Sequence, residues 1–236
     1  IVRESGVGPA DVVLEVGGGG GALAERLAPE VASVHLIELD ERLRSVLEPL
    51  AAELGNVGLV WGDAMKVDLA ALEPPPQRMV ANLPYSIATP LLLRTIAELP
   101  SLEAWLVMVQ REIAERLRAR PRTREYGSPS VLAQLACEVT LVRTVDPAVF
   151  TPRPRVESAL VRMERRGPGA SPQVETIVRA AFAHRRKSLA RSLEIARPGS
   201  LEAARTALAK IGAPQDARAE SLAPVELERL AELIER

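Results

Sequence analysis

Cysteine is almost absent: Cys137 is the only one among 236 residues. A disulfide within the chain is therefore impossible, and a cysteine-based zinc cluster is excluded. Histidine is nearly as scarce, with only His35 and His184, so a metal site would have to be built from carboxylates. Cys137 sits in the apolar run "VLAQLACEV" and reads as a small hydrophobe packed in the core. So little cysteine fits a reducing, cytoplasmic setting. No apolar run is long enough to span a bilayer, and no basic-then-apolar stretch opens the chain as a signal peptide would. Lysine is limited to Lys66, Lys187 and Lys210, so arginine supplies almost all of the 30 basic residues. The aromatic residues are six: Trp61, Tyr85, Trp105, Tyr126, Phe150 and Phe182.

The rest is ordinary globular composition, 47% hydrophobic and 26% charged, in a length that suits one large domain with or without a small one. The net charge of −1 hides an asymmetry. Residues 1–149 carry 14 basic and 20 acidic side chains, and residues 150–236 carry 16 and 11. Residues 150–197 alone carry 11 and 4. A basic segment beside an acidic body suits a polyanionic partner, and equally a solvated basic face.

Alternating patterns run through the first two thirds. Apolar runs at 11–16, 33–39, 56–63, 78–83 and 103–110 read as buried parallel strands. Helical patterns follow at 21–28, 40–54, 89–99 and 110–124, with Asp40 as an N-cap. Residues 138–145 and 158–164 read as late strands, able to close the sheet as an antiparallel pair. "RGPGASP" (166–172) reads as a linker. Beyond it only helical patterns occur, at 173–194, 200–211 and 224–235. The expected fold is α/β, a doubly wound and mostly parallel sheet over residues 1–166, followed by a small all-helical domain over 167–236.

Three strand ends carry chemistry. "LEVGGGGGALAERL" places five glycines between the first strand and first helix, where bare backbone and helix N–H groups admit a ligand. Glu38, about 20 residues on at the end of the second strand, is where a carboxylate holds the ribose hydroxyls of an adenosine. Asp63 ends the third strand and suits an adenine amino group, with Trp61 or Met65 near the ring. The plainer reading is that Glu38 or Asp40 merely caps the next helix, and Asp40 is the better cap. The fourth strand ends in "NLPY", Asn82 to Tyr85. The Asn82 side-chain oxygen and the Leu83 or Pro84 carbonyl make two acceptors that match the two N–H groups of an exocyclic amine, and Tyr85 offers a flat face to a base. A packed strand-end turn is the plainer reading of these four residues alone.

In order, "EVGGGGGALA", "IELD", "GDAM", "NLPYSIATPLL", "QREIAERL", "YGSPSVLAQ", "FTPRPRVESALVRM" and "FAHRRKSLARSL" resemble the KsgA-type small-subunit (16S) ribosomal RNA adenine N6,N6-dimethyltransferases, from about Val12 to the last helices. The resemblance implies a Rossmann-like methyltransferase using S-adenosylmethionine, yielding S-adenosylhomocysteine, with no metal. It implies two adjacent adenines near the 3′ end of small-subunit rRNA, in an immature 30S particle, as the target of a cytoplasmic enzyme expected to be a monomer. Cofactor contacts would come from Glu15, Gly17, Gly19, Glu38, Leu39, Asp63, Ala64 and Asn82. Asn82, Leu83, Pro84 and Tyr85 would serve the chemistry, and Tyr85 and Phe150 the two faces of the base, unless Phe150 simply packs in the core. Arg116, Arg153, Arg155, Arg185, Arg186, Lys187 and Arg191 would meet RNA phosphates. Two departures stand out. Gly18 occupies a position that is usually proline in this family, which predicts a softer loop, and the family's upstream Gln-Asn-Phe-type segment is expected before Ile1. The alternatives are a 23S rRNA adenine methylase of the macrolide-resistance type, a non-catalytic ribosome-assembly or RNA-binding factor on the same fold, and a DNA adenine methylase, for which the short helical tail is a poor recognition domain.

Overall fold

The computed structural model describes residues 1–149 and 156–234. The chain divides into two compact units, Ile1–Ala114 with Val139–Arg165, and Glu115–Glu138 with Arg166–Arg236.

The first unit is the sheet. A short helix α1 (Val2–Ser5) precedes β1 (Val12–Val16), α2 (Ala24–Leu27), β2 (Ser33–Glu38), α3 (Arg44–Leu54) and β3 (Val57–Trp61). Then come β4 (Arg78–Asn82), α4 (Ala88–Glu98), β5 (Ala104–Gln110) and α5 (Arg111–Leu117). After α6 (Ser128–Ala136) the chain returns through β6 (Cys137–Val145) and β7 (Ser158–Arg165). The strand order is β3-β2-β1-β4-β5-β7-β6. The first five strands pair in parallel, and β7 runs antiparallel to β5. The late strands thus extend the sheet at its β5 edge, with β7 inserted between β5 and β6. Every residue of β1 is buried, as expected of a central strand covered on both faces. β2 and β3 lie on one side of β1, and β4 on the other. The β1/β4 boundary is therefore the topological switch point, whose carboxyl-end crevice is the usual ligand site of such sheets.

The helix expected from residue 21 starts three residues later, because Gly21 holds a left-handed φ of 82° outside it. Asp40 caps as expected, its carboxylate accepting the Arg42 N–H at 3.1 Å.

The second unit is helical. α7 (Pro172–Phe182), α8 (Leu189–Ala196), α9 (Leu201–Lys210) and α10 (Pro224–Ile234) pack in sequence, and α6 packs on α7 and α10. The continuous helix expected over 173–194 is two helices. Ser188 accepts the Arg191 N–H and starts α8 afresh, while the Ser192 hydroxyl ties α8 back to the Ala180 carbonyl at 2.7 Å. The helix expected over 110–124 stops at Leu117. Gln134 donates to the Leu117 and Ala119 carbonyls at 2.8 and 2.9 Å, and Arg122 takes a left-handed φ of 69° just after Pro121. The later boundary falls at 165/166, one residue from the 166/167 division expected, and residues 115–138 fold with the C-terminal helices as well. Tyr126 explains why: fully buried, it donates to the Leu222 carbonyl at 2.9 Å and meets Phe182 edge-on with ring centroids 5.8 Å apart.

Candidate active site

The glycine loop and "NLPY" meet at the switch point. Gly17 has a φ of 80°, and a Cβ there would stand 3.2 Å from the Pro84 ring and 3.8 Å from the Asn82 carbonyl oxygen. Only a residue without a side chain fits both the dihedral and the space. The loop therefore lies directly against the element expected to hold the target amine.

Glu38 organises this loop. Its Oε2 accepts the Gly19 N–H at 3.0 Å, and its Oε1 accepts the Leu39 and Asp40 N–H groups at 2.8 and 2.9 Å. A carboxylate has about four acceptor directions, so one remains, on Oε2. One ribose hydroxyl can use it, and a second would have to displace a backbone donor. This tether holds the loop at Gly19, next to the Gly18 expected to soften it.

Gly18 has its own explanation. It is not among the positive-φ glycines, so the backbone does not demand glycine. A Cβ there would lie 2.6–2.9 Å from the Leu36 side chain, which is itself 1% exposed. Leu36 fills the volume that a proline ring would need. Gly18→Pro is expected to destabilise the protein by about 1–3 kcal/mol through overpacking. Adding Leu36→Ala to that variant should cost less than Leu36→Ala costs the wild type, read by thermal unfolding of the four proteins.

Glu15, one residue before the end of β1, is 1% exposed and its Oε2 has no hydrogen-bond partner. Burial, then the charge of Glu38, pushes its pKa up to about 8. It is protonated at neutral pH.

Two residues beyond β3, Asp63 turns back on its own loop, its carboxylate accepting the Met65 N–H at 2.9 Å. Arg94 of α4, unmarked by any motif, holds this loop. Arg94 donates to the Ala64 carbonyl at 2.6 Å and the Val67 carbonyl at 2.8 Å, and its Nε bonds Glu98. Ala64 is buried beneath, and Leu39 is exposed. The Trp61 ring is covered by the Arg44 guanidinium at 4.5 Å.

Asn82 is exposed at the end of β4. Leu83 is buried and donates its N–H to the Met108 carbonyl at 3.0 Å. The Pro84 carbonyl accepts the Ile87 N–H at 3.2 Å, so Leu83 is the better second acceptor of the two considered. Tyr85 is half-buried, with its hydroxyl 2.7 Å from the Ser158 hydroxyl. Among the described residues, no group of three His, Cys, Asp or Glu side chains is placed to hold a metal.

The profile of the family "Ribosomal RNA adenine dimethylase" matches residues 1–234. The chain belongs to the ribosomal RNA adenine dimethylase family. One such relative, "Ribosomal RNA small subunit methyltransferase A" of Rubrobacter xylanophilus, is 45% identical over 223 residues, covering 93% of this chain and 84% of its own. Among solved structures, a dimethyladenosine transferase from Plasmodium falciparum shares the fold at a TM-score of 0.78 and 23% identity, covering 97% of this chain and 91% of that one. The 23S rRNA methyltransferase ErmE aligns at a TM-score of 0.66 and 27% identity, covering 99% of this chain and 95% of that one. This dimethylase chain is thus a methyltransferase on a Rossmann-like sheet.

The basic residues of the dimethylase separate into groups. Arg116, Arg124 and Arg185 line one concave surface of the helical unit together with Tyr126 and Phe182. Arg185 is engaged there, donating to the Arg124 carbonyl at 2.8 Å and pairing with Glu220 at 3.4 Å. Arg186 and Lys187 are exposed on the turn between α7 and α8. Arg191 lines a different hollow, with Arg205 and Asp216. Phe150, Arg153 and Arg155 lie outside the described residues.

Proposed function

We propose that this chain transfers methyl groups from S-adenosylmethionine to the N6 amines of two adjacent adenines near the 3′ end of small-subunit rRNA, dimethylating each. Its substrate in this reading is an immature 30S particle, and it acts as a cytoplasmic monomer. The observation that supports the reading is the closeness of Gly17 to "NLPY", where an added Cβ would stand 3.2 Å from the Pro84 ring and 3.8 Å from the Asn82 carbonyl oxygen.

The residues fit the cofactor. An orphaned buried carboxyl oxygen on Glu15, a spare acceptor on Glu38 and a loop without side chains from Gly17 to Gly21 are groups suited to such a ligand. Gly17, Gly19, Glu38, Leu39, Asp63, Ala64 and Asn82, with Glu15 beneath, would hold it. Bound S-adenosylmethionine supplies a methyl group on a sulfonium, an excellent leaving group.

The chain's task is the nucleophile. An adenine N6 lone pair is delocalised into the ring. The Asn82 side-chain oxygen and the Leu83 carbonyl accept the two N–H groups, favour a pyramidal nitrogen and stabilise the positive charge that develops there. Holding the amine in line contributes the usual proximity gain. The base must leave its stack to reach these acceptors. Trp61 is covered by Arg44, Trp105 is buried, and Tyr126 packs with Phe182. Tyr85 is the aromatic left to receive the base among the described residues, with Phe150 proposed for its other face. Arg116, Arg153, Arg155, Arg185, Arg186, Lys187 and Arg191 are the proposed phosphate contacts, which position rather than specify. No general base is required of the protein, because the exposed Asn82 site lets the methylated amine lose its proton to water.

Arg94 supports the adenine side of this site. Arg94→Met removes two charge-assisted bonds to the Asp63 loop and is expected to weaken S-adenosylhomocysteine binding about ten-fold or more, measured by calorimetry.

The similarity to ErmE keeps a large-subunit adenine methylase as the second reading. Labelled methyl groups should enter immature small-subunit particles and not naked 23S RNA. The opposite pattern supports the second reading.

A further inference from the structure

We propose that Ser158 is a positioning residue for methyl transfer, its buried hydroxyl fixing the Tyr85 ring in the orientation that receives the target base. This inference rests on the stacking role given to Tyr85 above.

Tyr85 lies three residues beyond β4, and Ser158 is the first residue of β7. β5 stands between those strands. Adjacent strands run about 4.8 Å apart, so the 2.7 Å bond between the two hydroxyls closes a span of about 10 Å over the carboxyl end of β5. There Gln110, the last residue of β5, is the register partner of Ser158. A tyrosine ring has two torsions. With the backbone held by the Leu83 N–H bond to Met108 and the hydroxyl held by Ser158, both are set.

Ser158 differs from the other buried hydroxyl residues described. Thr95 donates to the Leu92 carbonyl and accepts the Trp105 indole N–H at 3.0 Å within the core, while Ser130 donates to the Arg116 carbonyl and Ser192 to the Ala180 carbonyl. Ser158, with 0% exposure, meets a side chain of the site instead. A buried hydroxyl without a partner is unfavourable, so the pair holds the ring from the protein side before any base arrives. Glu157, its neighbour, is fastened separately, accepting the Arg111 N–H at 2.9 Å through its carbonyl and pairing with the Arg111 guanidinium at 2.8 Å. The start of β7 is thereby a fixed anchor point.

The test is a double-mutant cycle on the full chain. Tyr85→Phe keeps the ring and removes the bond, and Ser158→Ala removes it from the other side. Single-turnover transfer from labelled S-adenosylmethionine to immature small-subunit particles gives the rate, and thermal unfolding gives the stability. Each single variant is expected to slow transfer about ten-fold, since small misplacements of reacting groups are costly. The KM for S-adenosylmethionine should stay within about two-fold, and the double variant should be no slower than either single one. Transfer at the wild-type rate by Ser158→Ala, with only its melting temperature lowered, overturns the inference, as do losses that multiply in the double variant. Tyr85→Ala separates the two claims. If it is slow while Ser158→Ala is not, stacking stands and the positioning role falls; if Tyr85→Ala is itself unimpaired, both fall. Should Ser158→Ala fail to fold, Tyr85→Phe decides alone, a ten-fold loss supporting the inference and a wild-type rate overturning it.

Discussion

Asn82→Ala will lower the rate of methyl transfer by about 10²–10³-fold or more, the scale on which removing one preorganised transition-state partner acts, while binding to small-subunit particles stays within a few-fold. The asymmetry follows from where Asn82 sits. It is exposed at the end of β4 and takes no part in the core, where Leu83 beside it is 1% exposed. Removing its side chain leaves the sheet, the glycine loop and the basic surfaces untouched. What is lost is one of two acceptors for the amine, needed only as the nitrogen becomes pyramidal and positive. Single-turnover kinetics with labelled S-adenosylmethionine measure the first quantity and filter binding the second. Equal losses in both would show that Asn82 positions the substrate rather than stabilising the transition state. An unchanged rate would remove it from the site.

The second large effect concerns Glu15 and stability. Its pKa is about 8 in the folded protein against 4.5 for an ordinary glutamate, raised first by burial and then by the charge on Glu38. Between those values the folded protein holds a proton that the unfolded chain has released. Stability therefore falls as pH rises from 4.5 to about 8, and the penalty is constant above that. Below 4.5 both states are protonated and Glu15 contributes no pH dependence. At about 1.4 kcal/mol per pKa unit, the penalty at alkaline pH reaches a few kcal/mol. Glu15→Gln mimics the protonated form and does not titrate. It should match the wild type at about pH 4, exceed it in stability by about a few kcal/mol near pH 9, and flatten the curve between. Urea unfolding at several pH values reads this directly. A wild type whose stability does not fall relative to the variant over that interval contradicts the assignment.

Both effects come from residues visible in the sequence, and the reason is topological. In a parallel sheet the ligand-facing residues stand at successive strand ends, so "EVGG", "IELD", "GDAM" and "NLPY" can be read one strand at a time without knowing the packing. Side-chain links between distant elements leave no such local mark. Arg94 grips carbonyls 27 and 30 residues away, Leu36 occupies the space above Gly18, and Ser158 reaches Tyr85 across 73 residues. Nothing in "PLLLRTI" or "VESALV" distinguishes these from ordinary helix and strand positions. The membership of residues 115–138 in the helical unit was illegible for the same reason, since it depends on Tyr126 reaching Leu222, 96 residues on. The helix break at 183–188 was more nearly readable: Ser188 is an N-cap residue type, but the apolar periodicity on either side runs through it.

Mapping the methylated nucleotides tests the central claim most directly. Immature small-subunit particles lacking the modification are incubated with the chain and labelled S-adenosylmethionine, and nuclease fragments of their rRNA are resolved by mass spectrometry. The account predicts N6,N6-dimethyladenine at two adjacent adenines near the 3′ end of the small-subunit rRNA and nowhere else. Label appearing instead in large-subunit RNA, or in no adenine at all, contradicts it.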